Sequence, residues 1–489
     1  MTRMSSFPPR SVSPSAASRI TRRVAAGLVV VLALAPIPSR AQQRINLPAP
    51  APGSPIWGGV PTGPSSGQPL TLSLGEALKR ALAYNLGALV AEEAVNRADG
   101  ARRIALSELL PQIEGGVTET RRKTNLEAFG FPLGPTFPRV VGPFNVFDAR
   151  VTLRQSIYDG RAINDLHAES HRSAATQLSR RSTRDQIVLV AANVYLQTVA
   201  AAARAESTRA QLDTARALRQ QAQELRAAGV VAGIDVVRSE VAVDAAQYAA
   251  TAARNDFEKT KLQLARLIGL PIRQAFTIVD QVPTLGLPVP SFEDVLAQAY
   301  MNRPDFLAAQ ARVREAESAM RGAKAERLPS ASLFGDYGVI GLTVGSSLPT
   351  FAVTGAVTVP LFDGGRAGGR IRQAEADLKQ RQAELEDFRA AIYYNTQAAF
   401  LDLSAAEEQV QAATRGQELA NLQLTQARDR LAAGVTDTVE VAQAQAAVAA
   451  ASERFIAAQY DLTLSKALVL SAPGSLEQAI EKYLPSWLP

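Results

Sequence analysis

The chain has 489 residues, 52 basic and 46 acidic, and no cysteine. Without cysteine, disulfide frameworks, thiolate metal sites and a lipid anchor on an N-terminal cysteine are excluded. Much of the net charge of +6 comes from the first 44 residues, where Arg3, Arg10, Arg19, Arg22, Arg23, Arg40 and Arg44 stand without an acid; the remainder is near neutral, so the basic excess does not point to nucleic acid.

Residues 1–41 read as a secretory signal. Arg19, Arg22 and Arg23 precede an apolar run from Val24 to Ala35, and Ser39 and Ala41 suit a small-x-small cleavage site. The run is short of the roughly 20 residues that span a bilayer; the other reading is a short uncleaved anchor. No later stretch reads as a membrane-spanning helix. A mature protein held in a membrane would therefore sit there on strands, closed into a barrel because lipid offers no partner to a free edge.

Residues 42–70 are rich in Pro, Gly and Ser and are expected to lack regular structure. A first repeat covers 71–280. Its opening helix runs from about Leu72 to Leu110, with Asp99-Gly100 as a point of bending, and Leu110-Pro111 ends it. Strands follow at 112–121 and 144–158. Ser156-Ile157-Tyr158-Asp159-Gly160-Arg161 then opens a helix reaching Ala228. Gly229 to Gly233 break it, a further helix reaches Ile268, and Gly269-Leu270-Pro271 stops that one.

A second repeat, 281–472, restates this order. A helix from about Phe292 to Leu328 leads into strands at 330–340 and 351–361. Pro360-Leu361-Phe362-Asp363-Gly364-Gly365-Arg366 repeats the strand-to-helix junction some 204 residues after the first. A long helix spans Gly365 to Ala433, Gly434 breaks it, and a last helix reaches about Leu470, followed by a tail at 473–489. Duplicated punctuation of this kind predicts two quasi-equivalent halves.

The strands alternate. Ala149, Val151, Leu153 and Ile157 share one face, with Arg150, Thr152, Arg154 and Ser156 opposite; Phe351, Val353, Gly355, Val357, Val359 and Leu361 oppose Ala352, Thr354, Ala356 and Thr358. This fits a membrane barrel with a wet lumen and equally an ordinary half-buried sheet. Four strands cannot close a membrane barrel, which takes about 8, so the barrel reading requires several copies; three would supply twelve. The long helices would reach roughly 100 Å at 1.5 Å per residue, and the shorter ones, 72–110 and 234–268, about half that. Two full-length helices and two stacked pairs suit a long, uniform wall. An extended soluble coiled coil would explain the helices but not the strands.

The junctions Tyr158-Asp159-Gly160 and Phe362-Asp363-Gly364, with the breaks Ala227-Ala228-Gly229-Val230 and Leu431-Ala432-Ala433-Gly434-Val435, resemble the TolC-type outer-membrane efflux and secretion channels over about residues 70–472. The resemblance implies a mostly α fold with membrane β: a homotrimer whose twelve-stranded β-barrel in the outer membrane of a Gram-negative cell continues as a twelve-helix α-barrel through the periplasm. It further implies a passive conduit with a gated entrance, docked to a periplasmic adaptor and an inner-membrane pump of the resistance-nodulation (RND) or ABC type.

Asp159-Gly160 and Asp363-Gly364 have a structural role, since glycine lets the chain turn from pleat to helix and aspartate favours a helix start. Gly229, Val230, Gly434 and Val435 mark the end far from the membrane, where the family narrows and meets its adaptor. Asp235 and Glu440 each stand six residues past their glycine and match the family's carboxylates near the constriction. Three copies of Glu440 would make an acidic ring that attracts cations; helix capping, with Asp437 and Glu440 spaced as a capping box, explains the same residues. Thr436 and Gln443 stand where the family's best-known gate has an arginine and a second acid, which predicts a looser, hydrogen-bonded closure. Arg150 and Arg154 would line the barrel lumen, or anchor at the interface and pair with Asp148. His167 and His171 have a two-ligand spacing on a helix but no evident third ligand, and read as a surface pair rather than a metal site. No nucleophile–base arrangement, phosphate loop or dinucleotide fingerprint is visible, so neither catalysis nor a cofactor is expected. Two rival readings remain: a periplasmic adaptor or coiled-coil scaffold without a barrel, and a secreted hydrolase.

Overall fold

The computed structural model describes residues 54–65, 67–130, 138–278, 290–436, 438–474 and 476–477. The predicted signal, the start of the 42–70 segment, Asp437 and most of the 473–489 tail lie outside the described residues.

The first half runs β1 (Leu70–Leu72), α1 (Leu74–Tyr84), α2 (Leu86–Ser107), β2 (Gln112–Asn125), β3 (Val140–Tyr158), α3 (Gly160–Ala227), α4 (Gly233–Leu267) and β4 (Phe276–Ile278). The second runs α5 (Phe292–Asn302), α6 (Pro304–Ala325), β5 (Ser330–Gly341), β6 (Leu348–Thr358), α7 (Arg366–Ala432) and α8 (Thr438–Ser471). The duplication is kept in element length. α1 and α5 both have 11 residues, α2 and α6 both have 22, and α3 and α7 have 68 and 67.

Each opening helix is two helices, which corrects the continuous ones expected. The first divides at Asn85, not at Asp99-Gly100, through which α2 passes unbroken. Asn85 is extended (φ −68°, ψ 133°) and ends α1 while capping α2, its Oδ1 accepting from the Gly87 amide at 2.8 Å. Its fully buried amide nitrogen donates to the Ile56 carbonyl (2.7 Å) and to Leu267 (3.3 Å). A short 3-10 turn at Pro55–Trp57 brings Ile56 there, so part of the 42–70 segment is regular. The second helix divides at Arg303, whose extended backbone is what a following proline imposes.

The four long strands form one antiparallel sheet in the order β2-β3-β5-β6. β2 and β3 run further from the helices than expected. β6 ends at Thr358 rather than 361, because its partner β5 begins only after Pro329 and its last pair is Ser330 with Thr358. The outer edges of β2 and β6 have no strand partner among the described residues.

The largest core gathers Leu72, Leu78, Ile187, Val188, Tyr195, Leu264, Ile268 and Phe276. Here α1 and α4 pack on the middle of α3, and β1 pairs in parallel with β4, a small sheet that alternation over three residues does not announce. The Tyr195 hydroxyl donates to the Leu72 carbonyl at 3.2 Å. By length and composition α3 is apolar enough to cross a membrane, contrary to expectation, but 72% of its most apolar window is buried inside the fold. It is the core helix of this packing.

Candidate functional site

The sheet faces the wrong way for water. Cross-strand partners share a face, so the register puts Ile113, Val117, Val151, Tyr337, Phe351, Val353 and Val357 on one side. All seven are exposed, Phe351 at 77% and Val357 at 72%. An ordinary half-buried sheet would cover this face, because burying each such side chain is worth about 1.5–3 kcal/mol. The other face carries Glu114, Asp148, Arg150, Thr152, Arg154, Asp336 and Thr354. Apolar residues share one face, charged ones the other, and among the described residues neither edge has a strand partner.

On the polar face Arg150 donates through Nε to Asp148 (2.7 Å) and through Nη1 to Asp336 (3.1 Å). The pairing with Asp148 and the polar-face position are therefore both present. Gly338 lies directly opposite, where a Cβ would come within 2.4 Å of the Arg150 Cβ, so glycine makes the room this side chain uses. Arg154 stands four residues on, on the same face and exposed. Asp336 was not anticipated; only the strand register brings it to Arg150.

The strand-to-helix junctions are capped alike. Asp159 accepts from the amides of Arg161 (2.9 Å) and Ala162 (3.1 Å) ahead of Gly160 and α3. Asp363 accepts from Gly365 (2.9 Å) and Ala367 (2.7 Å). The second junction holds one residue more, accommodated by positive φ at Gly364 and Gly365 (66° and 89°).

At the other end of the long helices the two breaks are copies of one motif. Gly229 and Gly434 have φ of 74° and 70°. Val230 donates to Leu225 and Val435 to Arg430, both at 2.9 Å, while Gly229 and Gly434 donate to Arg226 and Leu431 at 3.0 Å. This is the Schellman pattern, which satisfies the last helical carbonyls. Val230 and Val435 project beyond it, each 68% exposed.

Just past these turns the two predicted carboxylates are neutralised by different partners. Asp235 meets Arg238, one turn on in α4, at 3.2 Å. Glu440 meets Arg430, across its own turn at the end of α7, at 2.9 Å, and also accepts from the Thr436 hydroxyl. Thr438 donates to Asp235 at 2.8 Å and so joins the start of α8 to the start of α4. Gln443 is exposed and helps line a groove of about 410 Å³ with Leu218, Leu225, Leu431, Val441 and Arg238. Arg430 and Thr438 were missed in the sequence. Arg430 is ten residues from Glu440, and only the tight turn brings them together.

His167 and His171 stay on α3. Partial burial and the neighbouring Arg314, His167 and Arg321 push the His171 imidazole below its usual range. Among the described residues no group of three or more His, Cys, Asp or Glu could hold a metal ion. Elsewhere on α3, burial pushes the Asp185 carboxyl up to about 6, and Arg184 beside it pairs with Glu477 at 2.6 Å.

Comparison with known proteins adds a family and a fold. The family described as Outer membrane efflux protein matches residues 77–270 and 295–474, one block in each half. The chain is 25% identical over 342 residues to the pyoverdine export outer membrane protein OpmQ of Pseudomonas putida, covering 68% of this chain and 70% of that one. It is 24% identical over 382 residues to the outer membrane efflux protein BepC of Brucella suis, covering 76% and 79%. Among solved structures, the CmeC outer membrane channel of Campylobacter jejuni superposes with a TM-score of 0.72 at 17% identity, over 90% of this chain and 98% of that one.

Proposed function

The chain belongs to the outer membrane efflux protein family, and on that premise we propose that it is the outer-membrane conduit of a tripartite efflux or type I secretion system. The observation that carries this reading is the exposed apolar face of the four-stranded sheet, backed by a polar face and bounded by two open edges. Three copies close the edges into a twelve-stranded barrel, with apolar residues in lipid and Arg150 and Arg154 toward the lumen. The twelve long helical walls of the trimer continue the pore into the periplasm.

Residues 1–41 direct export, and 71–280 and 281–472 are the two repeats that wrap the pore. Asp159-Gly160 and Asp363-Gly364 turn strand into wall. Gly229, Val230, Gly434 and Val435 form the tips offered to a periplasmic adaptor. Asp235, Thr436, Asp437, Glu440 and Gln443 form the gate beside them. An RND or ABC pump in the inner membrane supplies the energy and selects the cargo; the chain binds no cofactor and does no chemistry on what passes. A periplasmic scaffold without a barrel is set aside, because the family match spans both halves, strands included.

Planar-bilayer recording of protein extracted from the outer membrane tests the proposal. Discrete conductance steps are expected. Protein recovered only from the soluble periplasm, and silent in bilayers, would overturn it.

A further inference from the structure

The two halves repeat each other in form but not in charge. Within the chain α3 packs on α6. The Arg172 guanidinium meets Glu315 at 2.8 Å, and Arg161 reaches Glu326 at 3.5 Å. Between these pairs Gly322 of α6 leaves room for α3: a Cβ there would lie 3.1 Å from the Asp165 carboxylate and 3.4 Å from the Asn164 Cβ.

The repeat carries α3 onto α7, Gly160 onto Gly365 and Gly229 onto Gly434. Burial follows this alignment: Ala162 and Ala367, Ile187 and Ile392, Ala215 and Ala420, and Ala222 and Ala427 are all buried. It likewise carries α6 onto α2, Pro304 onto Leu86 and Ala325 onto Ser107. Here burial does not follow. Ala308 is 1% exposed and its counterpart Val90 is 50% exposed; Gly322 is buried and its counterpart Ile104 is 68% exposed. The flank of α2 that corresponds to the covered flank of α6 is bare.

The corresponding residues of α7 and α2 complement each other. Arg172 becomes Asp377 on α7, and Glu315 becomes Arg97 on α2, so that ion pair returns with its signs reversed. Arg161 becomes Arg366 and Glu326 becomes Glu108, a pair of unchanged sign. Asn164 becomes Gly369, around which a Cβ would meet nothing within 4 Å, opposite the counterpart of Gly322, the large Ile104. Arg97, Glu108, Arg366 and Asp377 are exposed, and none makes an ion pair among the described residues.

We propose that α7 of one copy packs against α2 of the next through Asp377–Arg97 and Arg366–Glu108 ion pairs, with Ile104 seated over Gly369. The reversed pair fixes the order of helices around the ring. If α3 took a neighbour's α2, Arg172 would face Arg97; if α7 took the flank of α6 that α3 covers, Asp377 would face Glu315. Like charges so placed disfavour the wrong neighbour, as specificity by repulsion requires. The proposal rests on the homotrimer reading and names its contact.

The absence of cysteine makes the test clean. Arg97→Cys with Asp377→Cys in one chain, oxidised in intact outer membranes, is expected to give covalent dimers and trimers on a non-reducing denaturing gel, and either single variant only monomers. Asp377→Arg alone is expected to raise the fraction dissociated in mild detergent about tenfold, three exposed pairs acting together, and Arg97→Asp added to it is expected to restore the assembly. A trimer by native mass that neither cross-links nor shows this rescue overturns the pairing and leaves the trimer standing. A monomer by native mass overturns both.

Discussion

The Thr438 hydroxyl donates to the Asp235 carboxylate at 2.8 Å, tying the first turn of α8 to the first turn of α4. It joins the two helical hairpins at the tips, where each has turned through its Schellman glycine. If the tips close the pore, this bond holds them together within one chain. A hydrogen bond to a charged group is worth about 1.5–3 kcal/mol. Thr438→Val is therefore expected to raise the open population by about tenfold or more, read as more frequent openings in planar bilayers. Openings as rare as in the unaltered channel would remove Thr438 from the gate.

On the proposed gate, Glu440 is expected to set selectivity and Arg430 to moderate it. The two meet at 2.9 Å, so each Glu440 presents part of its charge to Arg430 rather than to the pore. Glu440→Gln is expected to reduce cation preference, and Arg430→Gln, which removes the neutralising guanidinium, to increase it. Reversal potentials across a salt gradient read both. The same shift for both variants would show that the pair acts through the fold and not through the pore.

The contribution of Asp185 to stability is expected to fall with rising pH. Burial raises its carboxyl to about 6, against about 3.9 unfolded. A folded pKa above the unfolded one gives a contribution fully present below about 4 and lost as pH rises through 6. Asp185→Asn is expected to stabilise the protein on the order of 1–2 kcal/mol at pH 8 and to leave it unchanged near pH 4. Thermal unfolding at the two pH values measures this; equal effects at both would contradict it.

Adjacent residues of β6 point to opposite faces of the sheet. Val353 lies on the exposed apolar face, and Thr354 on the face shared with Asp336 and Arg154. Arginine on a lipid-facing strand position costs about 2–4 kcal/mol near the midplane. Val353→Arg is expected to lower the yield of assembled protein in the outer membrane several-fold, and Thr354→Arg to leave yield intact while changing conductance. Equal yields would mean that the apolar face does not meet lipid.

Backbone-driven features were legible in the sequence. Gly229 and Gly434 announce their turns because positive φ is cheap only for glycine. Asp159 and Asp363 announce helix starts because the cap is local. The break at Arg303 was available in Pro304 and was overlooked. The break at Asn85 was not: its extended backbone is held by the Ile56 and Leu267 carbonyls, the second 182 residues away. The contacts beside the helix breaks share that difficulty. Thr438 to Asp235 spans 203 residues and exists only because two hairpins lie side by side. Alternation marked which strand residues share a face, but the exposure of the apolar face is a property of the assembled sheet.

A closed pore requires the edges of β2 and β6 to be paired by further copies of the chain. Native mass spectrometry of protein extracted from the outer membrane in mild detergent tests this directly. Three chains per particle are predicted, and a single chain per particle would contradict the account.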